Sequence, residues 1–142
     1  MRVVADANVL VSAALARSPE APSVMALDAA LDGRLELVTS PKLLAEVANV
    51  LGRTRLRRYL STDEAIRFVD DLAALTVQLN DPAEPHPAVC RDPRDDYLVA
   101  LAHASGAQAL VTGDLDLLAI DPNELEIEIL TPRLLVERLA AS

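Results

Sequence analysis

Tryptophan is absent from this chain of 142 residues, which holds only two tyrosines, one phenylalanine, two histidines, one cysteine and one lysine. Each scarcity excludes something. Aromatics at 2% leave no platform on which successive bases of a single strand could stack. Cys90 alone can form neither an internal disulfide nor a cysteine zinc site. His86, in a proline-rich loop, and His103, on a predicted helix, are too few for a histidine metal cluster and read as surface residues. No apolar run approaches the roughly 20 residues of a membrane span. The segment behind Arg2 carries Asp6 and Asn8 rather than a signal-peptide core, so the expectation is a cytoplasmic protein without a membrane. A net charge of -9 argues against a protein that coats nucleic acid, because phosphate binding needs basic surface.

What is present is a well-patterned globular chain. It is 51% hydrophobic, which excludes wholesale disorder, and its length suits one domain with one core. Arg2-Val3-Val4-Ala5 reads as a buried central strand. Small apolar residues follow from Val9 to Leu15, then a helix over Ser23–Leu31 closed by Gly33. A second strand covers Leu35–Thr39. Ser40-Pro41 opens a helix running to Leu51, and a short helical piece is expected from Arg53 to Tyr59. The capping box Ser61…Glu64 opens a helix to about Leu75, followed by a third strand over Thr76–Leu79. The prolines between Asp81 and Arg94 impose a loop. Asp95–Ser105 reads as a buried helix, Ala109–Thr112 as the fourth strand, Gly113–Leu118 as a tight turn and Glu126–Leu130 as an edge strand. A last helix starts at Thr131-Pro132. This alternation predicts a single α/β domain over residues 1–142, with a mostly parallel sheet of about five strands and helices on both faces.

Four carboxylates fall where a solvated charge is not expected. Asp6 stops the first strand, and Asn8 is expected one pleat further on. Glu46 borders the inward stripe of its helix, about 60° from Leu43 at roughly 100° per residue. Asp95 opens the buried helix on the stripe of Leu98, Val99 and Ala102, while Asp96 points toward His103 and the polar side. Asp114 follows the fourth strand through Thr112 and Gly113. Singly, each has an ordinary reading: Asp95 as a helix cap, Asp114 and Asp116 as turn residues, Glu46 as a snorkelling side chain. Together they are expected at the carboxyl edge of a parallel sheet, where open α/β folds bind ligands. Clustered carboxylates repel one another and call for a cation. All-oxygen ligation favours Mg²⁺ or Mn²⁺ over zinc.

The motifs Asp6-x-Asn8, SPKLLAEV around Glu46, RDPRDDYLVALA around Asp95 and VTGDLDLL at 111–118 resemble the PIN-domain family. They are most similar to VapC-like ribonucleases, the toxin components of bacterial toxin–antitoxin pairs. The resemblance covers nearly the whole chain. It implies a three-layer α/β/α sandwich and an endonuclease for single-stranded RNA that uses Mg²⁺ or Mn²⁺. It also implies a homodimer neutralised by a small antitoxin protein. Position by position, Asp6, Glu46, Asp95 and Asp114 match the acidic quartet that would be catalytic and metal-binding. Asp116 joins the metal set, with Asn8, Thr112 and Asp96 in support; the helical stripe and the DPxD pattern both favour Asp95 over Asp96. Residue 7 is Ala where the family commonly has a hydroxyl.

The one basic cluster is Arg53, Arg55, Arg57 and Arg58. It reads either as a contact for RNA backbone or antitoxin, or as a solvated helical surface. Two rival enzyme classes fail on single residues. A phosphoaspartyl phosphatase needs a second Asp where Asn8 stands, and a response-regulator receiver needs a lysine near its last strands, whereas Lys42 lies in the wrong half. A PIN-like domain that binds RNA or protein without cleaving is the remaining alternative.

Overall fold

The computed structural model describes residues 1–141. Five strands, β1 (Arg2–Ala5), β2 (Glu36–Thr39), β3 (Val77–Gln78), β4 (Ala109–Val111) and β5 (Glu128–Leu130), form one sheet in the order β3-β2-β1-β4-β5. All its pairings are parallel, with Ala5 opposite Val111 and Val4 opposite both Val38 and Leu110. Parallel strands need crossovers, and helices supply them: α1 (Ala7–Leu15) and α2 (Pro22–Leu31), α3 (Pro41–Leu51) and α4 (Thr62–Leu75), α5 (Asp96–Ser105), and the short α6 (Leu115–Leu118) and α7 (Pro122–Leu125), with α8 (Pro132–Ala141) last.

The central strand carries the core. Val3, Val4, Val38 and Leu110 have no exposed surface, each burial being worth roughly 1.5–3 kcal/mol. In series, α8 packs on α2, α2 on α1, α1 on α3 and α3 on α4, whereas α5 lies on β1 and β4. The chain steps outward from β1 to β2 and β3, then crosses back to β4 on the other side. Right-handed crossovers place helices made before and after that reversal on opposite faces, which gives the three layers. The reversal also sets the carboxyl ends of β1 and β4 side by side at the topological switch point, where open α/β sheets bind ligands.

Local chemistry fixes the element starts. The Ser40 hydroxyl accepts from the Leu43 N–H at 3.3 Å, and Pro41 takes the first helical position of α3. Ser61 and Glu64 form the reciprocal capping box, at 3.1 and 3.0 Å. Gly106 ends α5 in the left-handed region at φ 69°.

Several expectations are corrected. Asn8 belongs not to an extended strand but to the first turn of α1, because Asp6 caps that helix. The turn at 113–118 contains α6, capped by Asp114. The alternation from Glu126 marks a strand only from Glu128, since α7 ends in Glu126 at φ 59°. The 53–59 segment keeps a single 3-10 turn at Thr54–Leu56.

Candidate active site

Asp6 follows β1 directly and is anchored on all sides. Its N–H donates to the Val111 carbonyl at 3.0 Å, tying it to β4. Its Oδ1 accepts from the Val9 N–H at 2.9 Å, and its Oδ2 accepts from the Thr112 hydroxyl. Thr112 is itself fully buried, and its Oγ1 accepts from the Asp114 N–H at 3.0 Å. One hydroxyl thus couples the acids at the ends of two adjacent strands. Capping α1 gives Asp6 a structural role, but a cap does not require burial to 7% exposure. That burial, abetted by Asp114, holds the Asp6 carboxyl above the ordinary range, against the opposing pull of the Thr112 and Val9 hydrogen bonds.

Asp95 closes the 3-10 turn Pro93–Asp95 and sits at the start of α5. It occupies the cap position, yet its side chain makes no capping hydrogen bond. Its carboxyl is pushed up to about 6, first by burial and then by Asp92, Asp114, Asp6 and Glu46. Three of those four influences are the other members of the expected quartet, so the fold does bring Asp6, Glu46, Asp95 and Asp114 within one another's fields. Glu46 comes from the second turn of α3, half-buried, where its Oε1 accepts from the Tyr97 hydroxyl at 3.1 Å.

Asp96 departs from expectation. It shares a side with His103, both lining a cavity of about 90 Å³, but that side is covered by the preceding loop rather than by solvent. Asp96 is 6% exposed and accepts from the Val89 and Cys90 N–H groups, at 3.1 and 2.7 Å. It is a clasp for the loop. Burial, with the same acid beside it, pushes the Cys90 thiol up to about 12, which disfavours the reactive thiolate. Asp116 is exposed, donates its N–H to Asp114 Oδ1 at 2.9 Å and pairs with Arg91 at 3.5 Å. Asn8 is exposed, beside a cleft described below.

Tyr97 is the site residue that sequence reasoning missed. It is 2% exposed, and Lys42 stands over its ring at 4.4 Å. Being the one phenol on an otherwise apolar helix was the available signal, since a buried tyrosine hydroxyl needs a partner.

The basic cluster does not stay together. Arg53, Arg55 and Arg58 are exposed, but Arg57 turns inward to a cavity of about 420 Å³ between α3 and α4. Its Nη1 donates to the Thr62 hydroxyl at 3.2 Å, while Nε and Nη2 are buried without a partner among the described residues.

The donors at the acid edge are carboxylates and a hydroxyl, a hard all-oxygen set that suits Mg²⁺ or Mn²⁺. Among the described residues, no three Asp, Glu, His or Cys side chains stand close enough to hold a metal ion between them. Mg²⁺ needs no such cage: one or two carboxylates, waters and substrate phosphate complete its shell. The edge fits that mode of binding. Among the described residues, no helix is long and apolar enough to cross a membrane.

Comparison with known proteins bears on the fold and the family. The chain is 27% identical over 145 residues to the uncharacterized protein MJ1680 of Methanocaldococcus jannaschii, covering 96% of this chain and 90% of that one. Its fold matches the crystal structure of PAE2754 from Pyrobaculum aerophilum with a TM-score of 0.66 and 23% identity, over 100% of this chain and 91% of that one. Residues 2–116 match the PIN domain, a family generally of nucleases that use divalent metals. With that match running from β1 through the turn after β4, and so taking in all four acids, the chain belongs to the PIN-domain family.

Proposed function

We propose that this PIN domain is an Mg²⁺- or Mn²⁺-dependent endoribonuclease for single-stranded RNA and the toxin of a toxin–antitoxin pair. The observation that carries the nuclease reading is the pairing of Asp6 and Asp114 at the ends of two adjacent strands through the Thr112 hydroxyl, with Asp95 close enough to feel both of them and Glu46. Carboxylates gathered in this way suit a cation. Of Asp6, Glu46, Asp95 and Asp114, one or two would hold it directly and the others through bound waters. A divalent ion there supplies an activated water and neutralises charge on the scissile phosphate. Asp6 is oriented by Thr112 and Val9. Tyr97 orients Glu46 through its hydroxyl. The toxin role rests on the likeness to VapC-like ribonucleases, which extends the proposal to a cytoplasmic homodimer neutralised by an antitoxin protein.

The test is cleavage of a mixed single-stranded RNA pool by the wild type with Mn²⁺, by the wild type with EDTA, and by Asp6→Asn with Mn²⁺. Cleavage is expected only in the first. Because losing even an outer-shell partner of a metal costs about 10–100-fold, Asp6→Asn should lose at least about a hundredfold. RNA retained but uncut in all three would replace this reading with a binding module.

A further inference from the structure

Beside the acid edge lies a second cleft, of about 290 Å³, bounded by Asn8 and Ser12 of α1, Ser23 of α2, Gly113, Thr131 and Arg133. Two of its lining residues adjoin the acids in the chain: Asn8 is two residues beyond Asp6, and Gly113 separates Thr112 from Asp114. Unlike the edge, it carries no carboxylate among its lining residues.

The start of α2 gives the cleft its chemistry. Asp6 caps α1, and the Thr131 hydroxyl accepts from the Leu134 N–H at the start of α8. The start of α2, by contrast, has Ala21 at its cap and no side-chain capping bond. The N–H groups of Ser23 and Val24 have no partner among the described residues, which leaves the positive end of the helix dipole open. The Ser23 side chain faces the same space. This residue is only 8% exposed, and its hydroxyl makes no hydrogen bond among the described residues. Its oxygen is not sealed from solvent as the Arg57 nitrogens are, so the hydroxyl is open to a partner entering the cleft. Arg133 adds a guanidinium that forms no ion pair among the described residues. Open N–H groups, an unpartnered hydroxyl and a free cation on one wall are the equipment of a phosphate site.

We infer that this cleft is a nucleotide subsite: it holds the phosphate and sugar of the RNA nucleotide next to the one cleaved. The start of α2, Ser23 and Arg133 bind the phosphate, and Asn8 and Ser12 face the sugar or base edge. The inference rests on the endoribonuclease reading above. It resolves how an acidic edge engages a polyanion, since the adjoining cleft supplies the opposite charge. Thr131 and Arg133 lie beyond residue 116, outside the span matched to the family, so this grip on RNA belongs to the C-terminal part of this chain.

The test uses a fluorescently labelled, unstructured single-stranded RNA of mixed sequence, with Mn²⁺ throughout. In cleavage by otherwise wild-type protein, Arg133→Gln should raise KM about tenfold and leave kcat within about twofold. Losing one phosphate contact should also reduce the slope of log(kcat/KM) against log salt by about 1. Ser23→Ala should raise KM in the same direction by a smaller factor. Arg133 is exposed, so Tm should not move. A wild type that cleaves, with KM and salt slope unchanged in Arg133→Gln, overturns the subsite and leaves the nuclease standing. A wild type that does not cleave removes the nuclease reading. The subsite is then decided by binding of the same RNA to Asp6→Asn with and without Arg133→Gln: weaker binding and a shallower salt slope in the double variant support it, and equal binding overturns it.

Discussion

The acid edge and the arginine segment are opposites in sequence and exchange places in space. Asp6, Glu46, Asp95 and Asp114 span more than a hundred residues of chain, yet they share one electrostatic field. Arg53, Arg55, Arg57 and Arg58 lie within six residues, yet Arg57 faces a cavity while the others face solvent. The acids converge because each follows or faces the carboxyl end of a parallel strand, and topology gathers those ends. The arginines diverge because their segment is an irregular turn, where neighbours in sequence share no face. Both regions bury charge without its opposite, but only the acids are held by the fold. Asp6 has two side-chain hydrogen bonds and Arg57 has one, to Thr62.

The comparison can be tested at its strongest link. Thr112→Val removes the hydroxyl that orients Asp6 and accepts from the Asp114 N–H. An outer-shell loss of this kind should cost about 10–100-fold in activity and Mn²⁺ affinity. Isothermal titration with Mn²⁺ and a cleavage assay would check both, and unchanged affinity would mean that the acids are not organised through Thr112. At the other pole, Arg57→Met replaces a guanidinium with two orphaned nitrogens by an apolar chain of similar length. Relief of their desolvation should stabilise the protein by about 1–3 kcal/mol in urea unfolding. Destabilisation would show that Arg57 finds a partner in solution.

The smallest effect concerns pH. The Asp95 carboxyl sits near 6 in the fold and about 3.9 in the unfolded chain. Its folded-state value is raised, so the native state holds more protons between these limits and stability falls as pH rises through them. Below both values there is no penalty, and above about 6 it is complete. Asp95 is only half-buried, so solvent screening keeps the effect modest. Thermal unfolding of the metal-free protein from pH 4 to 7 should show this downward slope, and Asp95→Asn should flatten it.

The strand sequence and most of the site were legible in the chain because they depend on strong local signals. β-Branched runs, the Ser61–Glu64 box and Gly106 acted where their chemistry predicts. The helical angle sets Asp96 on the side of His103, and both do line one cavity. Its burial is not legible from the helix, because the cover comes from Val89 and Cys90 in the proline-rich loop. The inward turn of Arg57 has no periodicity to announce it. Glu126 is a left-handed residue without the glycine that usually signals one, and α7 was hidden accordingly.

The place of β1 in the sheet has a consequence for the lifetime of the acid edge. β1 has a partner on each side, with Val3 and Val4 wholly enclosed. The Asp6 amide is bonded across to Val111, so it can exchange its hydrogen only when the centre of the domain comes apart. The Leu79 amide, bonded to Thr39 beside the two-residue edge strand β3, can exchange by fraying alone. Damage that begins at the rim therefore leaves Asp6 in place on β1 and tied to β4, and that anchor is lost only with the last of the fold.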